Sequence, residues 1–518
     1  MSSMIERIGE MFMVGFYGTD PNAASDLIRR YHVGGIILFS RNFRSASHLK
    51  EMNERLQQLR REVSDSPLFI AIDQEGGCVA RITDGVTVFP GNMALGALDS
   101  DDLARQVGEV TGAELASLGI NVNFAPVLDI NSNPENPGVG ARAFGSDPVL
   151  AARLGAAMIH GIQQNGILAA AKHFPGLGEA EVDSHDELPV VKASTEKLEA
   201  RELTPFRAAI EADVGFIMTA HCAYPSLDRA RYPATLSQSI LSALLRDRLG
   251  FRGIIITDCL EMGAIEKNYT ASQSAPMAVR AGANMLLICH TFEKQVGAIE
   301  SLAQALHKGD ISKKNVDASL SIIAELKKRI HVSPGKIVPR KLLSEDIAAR
   351  AITIYGDARS TLPLTLAPSD TLAVVVPAFE ALTKVEESAE PHELFLREIK
   401  RRHKNLIYCK APVQPTEAEI TECVKQCGNA DVLLLLTYNL HLYEAQRNLA
   451  HALLRLAPRT IAAAVRDPYD LAHLSGASGL IATYSFRECS LKGLVRVLFG
   501  EFKAQGRLPV EFPQYHEK

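Results

Sequence analysis

The sequence predicts an α/β protein with two units, an N-terminal (β/α)8 barrel of the TIM type and a C-terminal α/β/α three-layer sandwich. Eight continuous apolar runs alternate with amphipathic segments in the first part of the chain, which is typical of parallel strands buried on both faces. Polar residues follow nearly every run, as they do on the catalytic face of a barrel. A doubly wound open sheet alternates in the same way, but the number of runs and their polar ends favour the barrel.

The elements of the first unit follow one another at regular spacing. Amphipathic stretches such as residues 47–62 and 236–249 predict the intervening helices. Charged or histidine side chains end several of the runs, as at Asp73, Asp258 and His290. The eight predicted strands are residues 11–17, 33–39, 67–72, 120–125, 167–171, 214–219, 253–257 and 283–288.

A break in this pattern divides the chain. Ser333-Pro334-Gly335 and Pro339 predict a linker, and a helix is expected from about Ser344. The predicted limits are 1–335 for the barrel, 336–357 for the linker and 358–518 for the sandwich. A length of 518 residues agrees with two cores. Five strands are predicted in the second unit, at residues 372–376, 405–409, 432–437, 460–465 and 479–484.

The composition of the chain bears on which classes of binding partner can be expected. A net charge of -5 gives no electrostatic footprint for nucleic acid. No run reaches the roughly 18 apolar residues of a membrane span, and the N-terminus lacks the features of a signal peptide. Eight scattered cysteines are typical of reduced, buried thiols, so a cytoplasmic protein is expected. Neither a metal nor a cofactor is predicted, and the oligomeric state is left open.

The densest group of reactive side chains is Lys172-His173-Phe174-Pro175-Gly176-Leu177-Gly178, followed by Asp183-Ser184-His185. The apolar run at residues 167–171 precedes it, which predicts that these groups begin where a strand ends. Asp258 stands at the tip of another strand. It is interpreted either as a helix N-cap or as a carboxylate nucleophile that attacks the anomeric carbon of a sugar.

A retaining glycosidase also needs a proton donor. His185 suits this role because its ordinary pKa lies near working pH, and Asp183 could orient its ring. A mobile loop with hinges at Gly176 and Gly178 could deliver it. A surface or structural histidine, or a zinc site formed by His173, Asp183 and His185, are the alternatives.

Other charged residues at the predicted strand ends suit a polyhydroxylated ligand. Asp73 could accept hydrogen bonds from vicinal hydroxyls, and Arg81, Arg142 and Lys172 could donate them. Each residue alone is equally typical of a structural ion pair. Together at strand ends they indicate a sugar pocket.

These motifs together resemble glycoside hydrolase family 3, in particular the bacterial β-N-acetylglucosaminidase type associated with cell-wall recycling. The resemblance spans nearly the whole chain. It is carried by the runs IDQEGG at 72–77, RAFGSDP at 142–148, KHFPG at 172–176, DSH at 183–185 and TDCLEM at 257–262.

The resemblance implies Asp258 as nucleophile, His185 as acid/base and Asp183 as its partner. It also implies a set of sugar ligands, namely Asp73, Arg81, Arg142, Lys172 and His173. The implied reaction is removal of terminal β-linked N-acetylglucosamine with retention, through a covalent glycosyl-aspartate. A small carbohydrate is therefore the expected substrate, and muropeptides are its expected source.

Two residues depart from the family pattern. Leu177 replaces a histidine and Cys78 an arginine, which indicates altered substrate preference while the catalytic residues are intact. A phosphorylase or a β-glucosidase on the same scaffold and an inactive sugar-binding barrel are the competing interpretations. The natural aglycone and the role of the second unit are not determined by the sequence.

Overall fold

The first unit is a closed barrel of eight parallel strands. The computed structural model describes residues 2–332, 337–356, 361–456 and 459–512. Strands adjacent in the barrel follow the order β1-β8-β7-β6-β5-β4-β3-β2, which confirms the predicted fold class. The strands are β1 (Phe12–Val14), β2 (Gly35–Leu38), β3 (Phe69–Ile72), β4 (Val122–Asn123), β5 (Leu168–Phe174), β6 (Phe216–Thr219), β7 (Ile254–Cys259) and β8 (Met285–Ile288).

Helices surround the barrel, and their ends follow local sequence signals. Ser45 caps Ala46–Arg61 by accepting the N–H of His48, and Asp147 caps Pro148–Gln163, which has proline in its first turn. The other helices of this unit are Ser2–Gly9, Ser25–Arg29, Asn92–Leu98, Asp101–Ser117, Thr195–Ala200, Leu203–Glu211, the wider π-type Ser239–Arg248, Gly263–Glu266, Ala271–Ala281, Phe292–Lys308 and Lys313–Lys328.

Two strands extend further than the apolar runs that predict them. β5 continues through Lys172 and His173 to Phe174, so the expectation that the charged groups begin after the strand was wrong. β7 likewise includes Asp258 and Cys259. Lys172 pairs with Asp73 and His173 pairs with Asp129 at the barrel mouth. Because these buried polar groups have partners, the strand can continue past the end of the apolar run.

The second unit is a six-stranded sheet with helices Lys341–Ala351, His392–Lys400, Glu417–Cys427, Glu444–Leu454 and Glu488–Leu498. Its order is β9-β14-β13-β12-β10-β11. The strands are β9 (Thr353–Tyr355), β10 (Leu372–Pro377), β11 (Leu406–Ala411), β12 (Val432–Thr437), β13 (Thr460–Ala464) and β14 (Gly479–Ala482). Only β9 runs antiparallel within this sheet.

The predicted linker contributes to the second unit instead of merely connecting to it. The helix Lys341–Ala351 packs against Glu488–Leu498, and β9 pairs with β14. The prediction of five strands was therefore one short. The Ser333-Pro334-Gly335 motif lies outside the described residues, as does residue 358, the predicted start of the sandwich.

The two units share buried polar contacts. The N–H of Ala141 donates to Asp467 at 2.7 Å, and Arg487 Nε donates to the Gly77 carbonyl at 2.6 Å. Cys78 belongs to a hydrophobic cluster that contains residues of both units. Among the described helices, none combines the length and the apolar content that crossing a bilayer requires.

Candidate active site

The carboxyl ends of the barrel strands open into a cavity of about 420 Å³. All eight residues singled out in the sequence line it, although they come from separate strands and loops. They are Asp73, Arg81, Arg142, Lys172, His173, Asp183, His185 and Asp258. The structure thus brings the whole predicted set together.

One side of the cavity is a network of paired charges. Lys172 Nζ lies 2.8 Å from Asp73 and 2.6 Å from Glu75. Arg142 holds Glu75 through two parallel hydrogen bonds of 2.9 and 2.8 Å. Burial tends to raise the pKa of Glu75, but Arg142 and Lys172 hold that pKa well below its usual range. Glu75 is therefore ionised and keeps both cations in position.

A segment of the second unit closes this side of the cavity. Residues 383–387, here called the covering segment, belong to the lining. Arg81 donates to the Val385 carbonyl at 2.7 Å and lies 3.3 Å from Glu387 and 3.5 Å from Asp73. Behind the segment, Glu386 pairs with the fully buried Arg466. Both units therefore contribute residues to the wall of this cavity.

Asp258 is largely buried near the floor of the cavity. Its carboxylate accepts the N–H of Cys259 at 2.7 Å, so the helix N-cap interpretation does not describe its contact. Burial tends to raise the pKa of Asp258, but His221, His173 and His185 outweigh it and lower that pKa. An ionised carboxylate facing a polar cavity has the electronic state that a nucleophile requires.

Two further histidines line or support this floor. His173 Nδ1 lies 2.7 Å from Asp129, and its Nε2 lies 4.0 Å from Asp258. His221 is fully enclosed, with Nδ1 on Thr235 at 2.7 Å and Nε2 on the Cys259 carbonyl at 2.9 Å. Burial lowers the pKa of His221, so near neutral pH it acts mainly as a hydrogen-bonding group.

His185 is held from three directions on the loop after β5. Its Nδ1 lies 2.7 Å from Asp183, and its carbonyl accepts the N–H of Gly263 at 3.1 Å. Lys384 of the covering segment reaches the same carbonyl at 3.3 Å and Asp186 at 2.9 Å. Burial raises the pKa of Asp183, but His185 outweighs it and lowers that pKa. The ionised Asp183 can therefore stabilise a protonated ring.

The glycines before this loop have a packing explanation. A Cβ on Gly178 would come within 1.6 Å of the Ile130 carbonyl oxygen, and Gly176 has a φ of +129° beside Glu202. Close approach therefore accounts for Gly178 without a hinge. The zinc interpretation also loses its basis, because among the described residues the ligand atoms of His173, Asp183 and His185 do not gather within 4.8 Å of one another.

Sequence reasoning missed several contributors, among them Glu75, Asp129 and the covering segment. Glu75 stands two residues after Asp73 and could have been included on that spacing. Asp129 follows β4, so its strand-end position was a signal. The covering segment carried no signal in sequence, because it belongs to another unit.

The two departures from the family pattern have different surroundings. Leu177 lines the cavity, and its N–H donates to Asp129 at 2.7 Å. Cys78 packs instead in the cluster between the units, where burial raises the pKa of its thiol to about 12. An effect of Cys78 on substrate preference therefore has no direct contact to support it.

Cleavage of a sugar linkage is the class of chemistry that this barrel suits, since an ionised aspartate and a carboxylate-paired histidine line one cavity together with several charged side chains. The family model "Glycosyl hydrolase family 3 N terminal domain" matches residues 3–326. The chain belongs to glycosyl hydrolase family 3, as predicted.

Two relatives that carry a name are beta-hexosaminidases. Beta-hexosaminidase A of Pseudoalteromonas piscicida is 36% identical over 366 residues, which cover 65% of this chain and 61% of the relative. A Nitrosomonas eutropha beta-hexosaminidase is 40% identical over 264 residues, 50% of this chain and 74% of the relative. The chain thus spans about three fifths of the Pseudoalteromonas protein.

A solved structure matches over both units. The family 3 beta-N-acetylglucosaminidase from Paenibacillus sp. str. FPU-7 is 37% identical, with a TM-score of 0.92 and coverage of 98% of each chain. The beta-glucoside phosphorylase BglX reaches a TM-score of 0.83 at 23% identity, a likeness of fold alone.

Proposed function

We propose that this chain is a retaining β-N-acetylhexosaminidase that removes terminal, non-reducing β-linked N-acetylglucosamine. Asp258 is the nucleophile, His185 the acid/base and Asp183 its partner. The observation that carries the proposal is the convergence of these three residues with Asp73 and Lys172 in one cavity.

In the first step a carboxylate oxygen of Asp258 attacks the anomeric carbon, and the bond from that carbon to the glycosidic oxygen breaks. Protonated His185 gives its proton to the departing oxygen. The low pKa of Asp258 supports this assignment, because the attacking form is the ionised one. The products are the free aglycone and a glycosyl ester of Asp258.

In the second step water attacks the same carbon while neutral His185 accepts its proton. The ester bond breaks and returns Asp258 as a carboxylate. Asp183 is suited to both steps, since a nearby carboxylate stabilises the imidazolium that exists before the first step and after the second.

The preference for an N-acetylated sugar rests on the relatives. Three names include hexosaminidase or N-acetylglucosaminidase activity: the two bacterial proteins above and the Cellulomonas fimi "Beta-N-acetylglucosaminidase/beta-glucosidase", 31% identical over 70% of this chain. Asp73, Arg81, Arg142, Lys172 and His173 are the proposed sugar ligands. A muropeptide-derived aglycone and a cytoplasmic location are expectations from the family resemblance alone.

The decisive experiment measures hydrolysis of an aryl β-N-acetylglucosaminide by the wild type and by Asp258→Asn. The variant should lose roughly three orders of magnitude or more in kcat/KM. A matched control is Asp213→Asn, whose exposed carboxylate pairs with Arg329 instead of lining the cavity. Mass spectrometry after treatment with a 5-fluoro sugar should find the label on Asp258.

The same assay separates the alternatives. Product analysis with and without phosphate should find free N-acetylglucosamine in both cases, whereas a sugar 1-phosphate would identify a phosphorylase. Faster turnover of the plain glucoside would identify a β-glucosidase. Full activity of Asp258→Asn, or a label on another residue, would overturn the proposed mechanism.

A further inference from the structure

A second group of reactive side chains lies at the mouth of the barrel, between β7 and β8. Cys259 is the last residue of β7, and Cys289 and His290 directly follow β8. One ligand atom from each residue lies within 4.8 Å of the other two. All three line the same cavity as Asp258, yet the proposed mechanism uses none of them.

We propose that Cys259, Cys289 and His290 form a binding site for a soft d10 cation, Zn²⁺ in the first instance, and that the bound cation reversibly blocks the sugar pocket. Two sulfurs and one imidazole nitrogen are ligands that zinc prefers. Around tetrahedral zinc such atoms stand about 3.5 Å apart. The three side chains therefore need to close by only about an ångström.

The histidine is available for this role. His290 Nδ1 is buried and has no hydrogen-bond partner among the described residues. The ring lies between Phe39 and Tyr17, with centroid distances of 5.7 and 6.3 Å. Its backbone N–H donates to Glu261 at 2.6 Å. The ring is thus positioned by its neighbours while one nitrogen lacks a partner.

The charge balance at the site permits a divalent cation. On binding, both thiols lose their protons to solvent, so two thiolates neutralise Zn²⁺. Two cations face the site, Arg41, which donates to the Cys289 carbonyl at 2.9 Å, and Lys294. The carboxylate of Glu261 lies 4.0 Å from the Cys259 sulfur and 3.9 Å from Lys294. It offsets part of their repulsion.

The consequence for catalysis follows from position. Asp258 immediately precedes Cys259 and opens on the same cavity. A cation held by three protein ligands has a fourth position open, which would draw a carboxylate oxygen or water into the space that a sugar ring needs. Only this inhibition rests on the proposed function. Metal binding itself does not.

Cobalt(II) is the probe for binding, because thiolate ligands give it a charge-transfer absorption band. One equivalent of Co²⁺ should produce the band in the wild type, and Zn²⁺ should displace it. Cys259→Ser and Cys289→Ser should weaken binding at least tenfold. Cys222→Ser is the matched control, since this buried barrel thiol contacts the Pro189 carbonyl and lies outside the group. An unchanged band in both test variants would overturn the site.

Two further readouts keep the outcomes distinct. Zn²⁺ should inhibit aryl glucosaminide hydrolysis in the wild type and in Cys222→Ser, with chelator reversing it, and inhibit Cys259→Ser at least tenfold more weakly. Crystals of the wild type soaked in Zn²⁺ should show an anomalous peak between the two sulfurs and His290, whether or not the variants fold. A peak elsewhere with none here would refute the proposal. Metal binding without any glycosidase activity would refute only the proposed function.

Discussion

Two carboxylate–histidine pairs stand at the barrel mouth with the same bond and different surroundings. Asp129–His173 and Asp183–His185 both have a 2.7 Å contact between Nδ1 and a carboxylate oxygen. In the first pair His173 is part of β5, and its side chain is 8% exposed. The second is on a loop, with His185 22% exposed. A carboxylate–histidine contact therefore does not by itself define what the histidine does. Its position in the fold and its access to the cavity distinguish the two pairs.

The largest difference between the pairs should appear in proton transfer. His185→Ala should lower kcat/KM on a substrate with a poor leaving group by about 10²–10⁴-fold. The loss should shrink on an activated aryl substrate, which needs no proton donor. His173→Asn should instead lose activity by the same factor on both substrates, because His173 is a proposed sugar ligand that lies 4.0 Å from Asp258 and has no proposed part in protonating the leaving group. Comparing the two substrates on both variants checks this, and an equal leaving-group dependence would abolish the distinction.

For the stability of the fold, the pair Asp129–His173 should matter more than the pair Asp183–His185. Asp129 is fully buried and accepts N–H groups of Leu177 and His173 as well as the ring. Asp129→Asn should therefore lower the free energy of unfolding by about 1–3 kcal/mol. Asp183→Asn, on the more exposed loop, should cost less. Urea unfolding of both variants beside Asp213→Asn gives the measurement, and a larger loss for Asp183→Asn would contradict the comparison.

The pH profile should distinguish the pairs through Asp258. Its pKa is lowered below the ordinary 3.8, so kcat/KM should fall only when the pH drops through that lower value and the carboxylate takes a proton. His173→Asn removes one cause of the lowering, and the acid limb should move to higher pH. A limb that stays in place in this variant would show that His173 does not influence the nucleophile. Lys384→Ala serves as the control, because Lys384 pairs with Asp186 and not with Asp258.

The smallest effect should come from the tie between the covering segment and the loop of His185. Lys384 and Asp186 are both well exposed, and such pairs contribute about 0.2–1 kcal/mol. Lys384→Ala should therefore reduce kcat no more than about fivefold, and leave KM for a small aryl glycoside nearly unchanged. A loss as large as that of His185→Ala would mean that the second unit, and not Asp183, positions the acid/base.

The barrel could be predicted because its signals are local. Apolar runs such as the one before Asp258 specify strands, and residues after them share one face by geometry. The length of β5 could not be predicted. Lys172 is accommodated in this strand because it pairs with Asp73 and Glu75, which lie about a hundred positions earlier in the sequence. The position of the covering segment and the existence of β9 could not be predicted either. Both depend on contacts between distant parts of the chain, and such contacts produce no periodic pattern in the sequence. The catalytic roles of Asp258, His185 and Asp183 stay predictions.

Arg466, fully buried and paired with both Glu386 and Asp467, anchors one wall of the cavity to the second unit. Substitutions in that wall can therefore change which aglycone fits beside the sugar. The proposed catalytic residues, which belong to the barrel, stay in place. Evolution of new aglycone preferences in this lineage should accordingly accumulate at residues 383–387 before it reaches any strand end.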